Sequence, residues 1–418
     1  MIDIAILRQE PAILVAALER RGVDLDVGAL VALDTERRSA RTEAEELRAR
    51  QKESGKKIAA LDGSEKAAAI AEAGELSERY KESLARADAL DDEFMATWVT
   101  LPNLADPTAT DGLTEEDGVE ISRWGEPPEF GFDAQDHVDL GTALGVIDME
   151  RATKISGSRF GIIKGRLAML EFALVQWAMN ELAGHGFEAV VPPVLVREEA
   201  LFGTGFFPAD REQVYSVRED ELFLVGTSEV PLAAMHGDEF LEIGDDAQRY
   251  AGFTTCFRVE AGTYGKDTRG LFRVHQFDKV EMFSFTHPDA SADEHEFLLA
   301  REEELVQALD IPYRVVNVAV GDLGASASKK YDIEAWFPGQ DRYREITSTS
   351  NTTDYQARRL KIRFKDDDGS SRFVHTLNGT AVAIGRTLIA IMENFQTGEG
   401  TIVVPEVLRP YAGFDVID

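Results

Sequence analysis

From Leu30 to Leu61, the residues Leu30, Leu33, Arg37, Ala40, Ala44, Leu47, Gln51, Ser54, Ile58 and Leu61 follow alternating steps of three and four. A second run keeps the same spacing through Ala69, Ala73, Leu76, Tyr80, Ser83, Ala87, Leu90, Phe94 and Thr97, and Asp62-Gly63-Ser64 separates the two. Such steps return a side chain to one face of a helix, and an Asp-Gly-Ser cluster marks a turn. Two heptad helices on either side of a short turn bury their stripes against each other. The pattern therefore predicts an antiparallel coiled-coil hairpin with helices over about 28–61 and 66–98. Around Gln51 and Ser54 the seam lacks large apolar residues, so the distal part should be the weakest.

Charge sets this segment apart. The chain has 44 Lys+Arg against 76 Asp+Glu, a net charge of -32, which argues against a surface coated for nucleic acid but not against a local basic patch. Arg37, Arg38, Arg41, Arg48, Arg50, Lys52, Lys56 and Lys57 make eight positives against five acids between Glu36 and Lys57. On residues alone such a run is an ordinary solvated helix face.

Leu101-Pro102-Asn103-Leu104-Ala105-Asp106-Pro107 breaks the second helix, which predicts domains over 1–106 and 107–418. Beyond it, a helix is predicted over Gly165–Leu182, extended chain over Val190–Leu195, a buried strand over Tyr313–Val318, and a strand from Phe373 leading into a helix from about Ala381 to Asn394. Strands interleaved with helices predict an α+β fold on a mainly antiparallel sheet. The one cysteine, Cys256, excludes a disulfide framework within the chain and reads as a small buried apolar residue. No apolar run reaches membrane-spanning length, and Asp3 stands where a signal peptide would be basic. Cytoplasmic residence is the expectation.

The segment FRVEAGTYGKDTRGLFRVHQFDKVE, Phe257 to Glu281, packs charge between apolar residues. Alternation puts Arg258 and Glu260 on one face of a strand, and Arg273, His275, Phe277, Lys279 and Glu281 on one face of a second, with Ala261–Leu271 as the connecting loop. An aromatic plate among arginines suits a planar base carrying phosphates. Gly265-Lys266 mimics the end of a phosphate-binding loop, but Asp267 follows where Ser or Thr is required and Glu260 stands in place of the first glycine.

This segment resembles motif 2 of the class II aminoacyl-tRNA synthetases. NGTAVAIGR, Asn378 to Arg386, resembles motif 3, and GFEAVVPPVLV, Gly186 to Val196, resembles motif 1, which helps form the dimer interface in that class. With the hairpin, TSEVPL from Thr227 and EITSTSN from Glu345, the chain resembles the seryl-tRNA synthetases over essentially its whole length. The resemblance implies activation of L-serine by ATP to seryl-adenylate and pyrophosphate, then transfer to the 3′ end of tRNA(Ser), and of tRNA(Sec) as well. It implies a homodimer, and Mg²⁺ on the ATP phosphates. It also makes the basic hairpin a tRNA-binding arm, with Arg37, Arg38, Arg41, Arg48, Arg50, Lys52, Lys56 and Lys57 as the contacting residues; shape and backbone reading suits an RNA helix.

The same resemblance assigns the site. Arg258, Val259 and Glu260, Arg273 and Val274, Phe277, Glu345-Ile346-Thr347-Ser348 and Arg386 belong to ATP. Arg258 takes the α-phosphate, Arg386 the γ-phosphate, and Phe277 stacks on adenine with Arg386 over its other face. Glu345 and Ser348 offer oxygen ligands to Mg²⁺. Thr227, Ser228, Glu229, Glu281 and Thr380 belong to serine, the carboxylates for its ammonium and the hydroxyls for its side chain. The family often has serine where this chain has Thr380; the hydroxyl is kept. No enzyme nucleophile is required, so positioning and charge carry the chemistry, with Arg258 and Arg386 as the catalytic pair. His275 and His375 are read as structural. Two other classes are open to such a chain. A ligase charging a carrier protein would lack the hairpin, and a non-catalytic coiled-coil or RNA-binding module would not need Arg258, Glu281, Glu345 and Arg386 together.

Overall fold

The computed structural model describes all residues except Arg218, Asp245, Thr263, Tyr264, Lys266 and Thr268; Lys266 of the phosphate-loop lookalike thus lies outside the described residues. The chain divides into two compact units, Asp3–Leu101 and Met1–Ile2 with Pro102–Asp418. The division falls at Leu101 because Asn103 belongs to the larger unit. Its backbone N–H donates to the Ala325 carbonyl at 2.8 Å, and its side-chain amide to the Thr352 carbonyl at 2.8 Å.

The smaller unit contains helices α1 (Ile4–Gln9), α2 (Pro11–Arg20), α3 (Val27–Ile58) and α4 (Gly63–Trp98). α3 and α4 pair as the predicted hairpin, and Asp26 caps α3 by accepting from the Ala29 N–H at 2.9 Å. The turn is Ala59–Asp62, a little earlier than Asp62–Ser64, since Gly63 at φ +61° already opens α4. Leu30, Ala40, Ala44, Leu47, Ala87 and Phe94 are buried, whereas the seam positions nearer the turn, from Gln51 to Leu76, are only half-buried. There Gln51 donates to the Ser77 hydroxyl at 3.1 Å, a polar contact in place of an apolar one.

At the other end of the hairpin, Asp34 is buried to 1% exposure. It accepts from Arg8 at 2.8 and 3.0 Å, from Arg37 at 2.8 Å and from Arg38 at 3.0 Å. Burial works against its charge, but the bonds from Arg8 and Arg37 prevail and hold the carboxyl at about 2. Arg37 also lies 4.0 Å over the Phe94 ring.

The larger unit is built on eight strands: β1 (Val119–Trp124), β2 (Glu188–Val190), β3 (Gln248–Phe257), β4 (Gln276–Thr286), β5 (Tyr313–Asn317), β6 (Lys329–Phe337), β7 (Arg342–Thr353) and β8 (His375–Ala383). Their order is β1-β5-β6-β7-β8-β4-β3-β2, antiparallel throughout except β2 beside β3. One face of this α+β fold is covered by α5 (Arg166–Gly184), α8 (Ser291–Ala308) and α10 (Ile384–Asn394). Leu170, Leu174 and Trp177 of α5, Leu298 and Leu305 of α8 and Leu388 of α10 pack there with Val280 and Met282 of β4. The other face, next along β4, presents Lys279 and Glu281 to a cavity. Three short helices, α6 (Glu198–Thr204), α7 (Glu229–Ala234) and α9 (Tyr355–Leu360), complete the framework of that cavity. Among the described residues no helix is long and apolar enough to cross a membrane.

Three predicted elements differ from those observed. The two strands of the polar segment end sooner than alternation suggests: Phe257 pairs with Gln276 as the last rung of β3 and β4, so Arg258 and His275 stand outside the strands. Glu260 has φ +54°, so Arg258 and Glu260 do not alternate on a strand. The predicted helix from Ala381 begins at Ile384, because Val382 and Ala383 pair with Val280 and Lys279; sheet pairing overrides the helical propensity of alanine. The extended stretch Val190–Val196 serves two sheets, with Glu188–Val190 on β3 and Leu195–Arg197 on a small sheet with Leu222–Leu224.

Candidate active site

The cavity measures about 400 Å³, within the usual range for a ligand site. The end lined by Thr227, Glu229, Glu281 and Thr380 is assembled by one close approach. Gly252 of β3 is paired with Glu281 of β4. A Cβ at Gly252 would stand 2.9 Å from Leu232 and 3.0 Å from the Ser228 hydroxyl. The missing side chain lets α7 lie on the strand, which sets Glu229 beside Glu281. Ser228 is buried and donates to the Gly252 carbonyl at 3.3 Å, so it holds this approach and is not in the cavity wall.

Glu281 is 1% exposed and accepts from Thr380 and Asn378, each at 3.2 Å, while Lys279 forms an ion pair with it. Lys279 also donates to the Thr227 hydroxyl at 2.7 Å. Glu229 is 8% exposed; burial first and the Glu281 charge second raise its carboxyl to about 7. Two carboxylates and two hydroxyls thus face one small volume holding one compensating lysine.

The other end is a chain of charge pairs. Arg273 donates to Glu260 at 2.9 Å, and Arg344 donates twice to Asp267 at 2.7 Å. Arg344 stands 3.5 Å over the Phe272 ring and Arg386 4.6 Å from it. Arg386 donates to the Glu345 carbonyl at 2.9 Å and pairs with its carboxylate at 3.3 Å. Arg258 lies between the two ends, donating to the Gly226 carbonyl at 3.2 Å with its guanidinium 5.2 Å from the Phe277 ring. Its charge limits the rise that burial and Glu281 impose on Glu229, and adds to the lowering of Glu345 after Lys330 and Arg386.

Glu345 and Ser348 both line the cavity although they are an odd number of residues apart. A bulge explains this. Ile333 pairs with Thr347 and Glu334 with Glu345, leaving Ile346 unopposed. Ile346 is buried in the helix-side core, so two consecutive residues, Ile346 and Thr347, take the far face and Ser348 returns to the cavity. A second bulge between Thr380 and Val382 does the same for Thr380 and Ala383. Loss of water around it would raise the Glu345 carboxyl, but Lys330 and then Arg386 overcome this and hold it below the usual carboxylate range. Its side chain keeps 41% of its surface, open to the cavity. One ionised carboxylate with a hydroxyl suits Mg²⁺, which takes few protein ligands and keeps waters and phosphate oxygens.

Of the residues singled out from sequence, Thr227, Glu229, Arg258, Glu260, Arg273, Val274, Phe277, Glu281, Glu345, Ser348, Thr380 and Arg386 line this cavity, and Ile346 and Thr347 border it although the bulge turns their side chains to the far face. Val259 does not; its N–H donates to the Gln213 carbonyl at 2.9 Å. His275 faces the Arg258 carbonyl at 3.0 Å and His375 the Ser291 hydroxyl at 2.8 Å, and Cys256 is fully buried. Sequence reasoning gave no role to Lys279, although period two already put it beside Glu281. It passed over Asn378, Phe272, Arg344 and Lys330. Asn378 stands two residues before Thr380, a signal of the same kind; the other three become visible only through contacts between distant strands and loops.

On the hairpin the eight basic residues separate into two groups. Arg37 and Arg38 are bound to Asp34, and Arg41 pairs with Asp88 and Asp91. Lys57 pairs with Glu53 at 2.8 Å. Arg48, Arg50, Lys52 and Lys56 are exposed.

Residues 1–105 match the family model of the seryl-tRNA synthetase N-terminal domain, and residues 213–395 that of the class II tRNA synthetase core domain (G, H, P, S and T). The chain is 50% identical over 418 residues to a serine–tRNA ligase of Acidothermus cellulolyticus, covering 100% of this chain and 99% of the relative. It is 48% identical over 418 residues to one of Nocardia farcinica, with the same coverage. A crystal structure of seryl-tRNA synthetase from Pyrococcus horikoshii complexed with ATP superposes with a TM-score of 0.91 at 40% identity, covering 100% of this chain and 99% of that one.

Proposed function

The chain belongs to the seryl-tRNA synthetase family, and from that premise we propose how its own residues perform the reaction. The activity is that of a serine–tRNA ligase: L-serine is activated with ATP and then joined to tRNA. The observation that carries the assignment of residues is the division of one cavity into a carboxylate-lined end and an arginine-lined end with Arg258 between them.

Glu229 and Glu281 receive the serine ammonium, and Thr380 and Thr227 take its hydroxyl side. A site built to hydrogen-bond that hydroxyl rejects alanine, because the wrong amino acid leaves buried polar groups unpaired. The serine carboxylate attacks the α-phosphorus of ATP as the bond to the β-phosphate breaks and pyrophosphate leaves. Arg258 meets the charge that grows on the α-phosphate, and its planar paired donors suit both that group and the attacking carboxylate. Phe277 stacks on the adenine, with Arg386 over its other face. Arg386, held by Glu345 and Phe272, points to the terminal phosphates. Glu345 and Ser348 would hold Mg²⁺, which when bound neutralises phosphate charge. A terminal ribose hydroxyl of tRNA then attacks the activated acyl carbon, and AMP leaves.

The tRNA contact falls to Arg48, Arg50, Lys52 and Lys56, which are exposed, while Arg37 and Arg41 hold the hairpin together through Asp91 and Arg38 is bound to Asp34 on its own helix. Met169 and Phe172 on α5, with Val191 beyond β2, are large apolar residues at 53, 66 and 80% exposure; an isologous homodimer would cover them. Charging of tRNA(Sec) and cytoplasmic residence belong to the same proposal. ATP–pyrophosphate exchange with each amino acid in turn, then acylation of unfractionated tRNA, tests it. Serine alone should support exchange, and faster exchange with alanine or threonine would overturn the pocket assignment.

A further inference from the structure

Gln356 on α9 is fully buried and does not line the cavity. Its amide nitrogen donates to the Glu229 carboxylate at 2.7 Å and to the Thr204 carbonyl at 3.3 Å. Its oxygen accepts from the Thr376 hydroxyl at 2.9 Å, and Thr376 is in turn 2.6 Å from the Thr352 hydroxyl. The orientation of the amide follows from its partners. Glu229 and the Thr204 carbonyl present acceptors only, so the NH₂ must face them.

We propose that Gln356 is a positioning residue for the amino-acid substrate: it fixes the Glu229 carboxylate from behind and keeps its free oxygen aimed into the cavity. The inference rests on Glu229 as the receiver of the substrate ammonium. A neutral amide suits this task better than a cation. It stabilises the carboxylate by hydrogen bonding without cancelling the charge that the ammonium must meet. The same side chain ties α9 to the end of α6 at Thr204, next to Gly205 in the cavity wall. A carboxylate buried beside Glu281 with no such donor would be free to turn away or take up a proton. The charged groups that face Glu229 are Glu281 and Lys279 of β4 and Arg258.

The test compares Gln356→Met, Glu229→Gln and the double variant in ATP–pyrophosphate exchange with the full chain, serine, ATP and Mg²⁺. Gln356→Met keeps the volume and removes the donors. It should raise KM for serine about tenfold, the loss of a hydrogen bond to a charged group, with KM for ATP within about twofold. The acid limb of kcat/KM for serine should move to higher pH, because the lost donor favoured the ionised carboxylate. Since Gln356 acts through Glu229, the double variant should be no worse than Glu229→Gln. Thr376→Val, which frees the amide without touching its donors, should shift KM for serine the same way by a smaller factor and serves if Gln356→Met does not fold. An unchanged serine KM in Gln356→Met, equal rises for serine and ATP, or additive losses in the double variant would each overturn the proposal. If Glu229→Gln itself leaves serine KM unmoved, the assignment of Glu229 fails first and the proposal falls with it.

Discussion

Asp34 in the hairpin and Glu229 in the catalytic unit are both buried carboxylates, at 1% and 8% exposure. Asp34 is surrounded by three arginines and is held at about 2. Glu229 has one neutral amide donor and a second carboxylate beside it, and is raised to about 7. A carboxylate whose bonding capacity is filled by its own chain makes structure. One left short of positive charge is a place for a cation that arrives later. The hairpin arginines divide in the same way, those near Asp34 committed and those beyond Arg41 open to a partner.

The largest expected effect tests the unfilled side. Arg258→Ala should slow serine-dependent exchange at least about a hundredfold, on the order of 3 kcal/mol. The fold should survive, because the side chain's protein hydrogen bond is a single long contact to Gly226. Near-normal exchange by the folded variant would remove Arg258 from the α-phosphate.

The filled side should respond in stability instead. Asp34→Ala removes the carboxylate shared by Arg8, Arg37 and Arg38, although Arg37 keeps Asp91, at a cost of about 2 kcal/mol, the range of a lost hydrogen bond to a charged group, read as faster amide hydrogen exchange along α3 with serine-dependent pyrophosphate exchange unchanged. The pH dependence has the matching sign. A depressed pKa contributes stability in full above the ordinary value of 3.8 and loses it as pH falls toward about 2. Acid-induced loss of hairpin protection in that window should therefore be absent from Asp34→Asn. If the variant and the parent lose protection alike, Asp34 is not the group responsible.

A smaller effect separates the two groups of hairpin charges. Replacing Arg48, Arg50, Lys52 and Lys56 by Gln should raise KM for tRNA about tenfold at physiological salt and flatten its salt dependence, with KM for serine and ATP unmoved. Unchanged tRNA charging would make the distal hairpin a structural appendage. Smallest of all, Gln51→Leu with Ser77→Ala should replace the polar seam contact by an apolar one and stabilise the distal hairpin by about 1 kcal/mol. Slower proteolytic nicking near the turn is the readout, and equal rates would place the weak point elsewhere.

The hairpin was legible almost residue by residue, because heptad spacing is a local signal and every predicted seam position is buried or half-buried while most residues between them are exposed. In the site, legibility stopped where pairing departs from regular alternation. Arg258 and Glu260 look like strand residues in sequence, yet the rung Phe257–Gln276 closes the ladder before them. The start of α10 was misplaced because Ala381 is a good helix former, while the strand that holds it is fixed by its neighbours Thr380 and Val382 pairing with Glu281 and Val280, about a hundred residues earlier in the chain. Gln356 carried no local mark at all; its meaning is a contact with Glu229 across 127 positions.

The unopposed Ile346 gives the site a dependence on parity. Along a strand a side chain has only two directions, and counting decides between them. Glu345 and Ser348 differ by three, an odd number that alternation sends to opposite sides, and the one extra residue makes the count even. Point substitution changes what stands at Ile346 but not the count, so the shared facing of these two oxygens is insulated from the commonest kind of mutation. Loss or gain of a single residue anywhere between Glu345 and Ser348 would reverse it at once, however well the altered strand kept its composition.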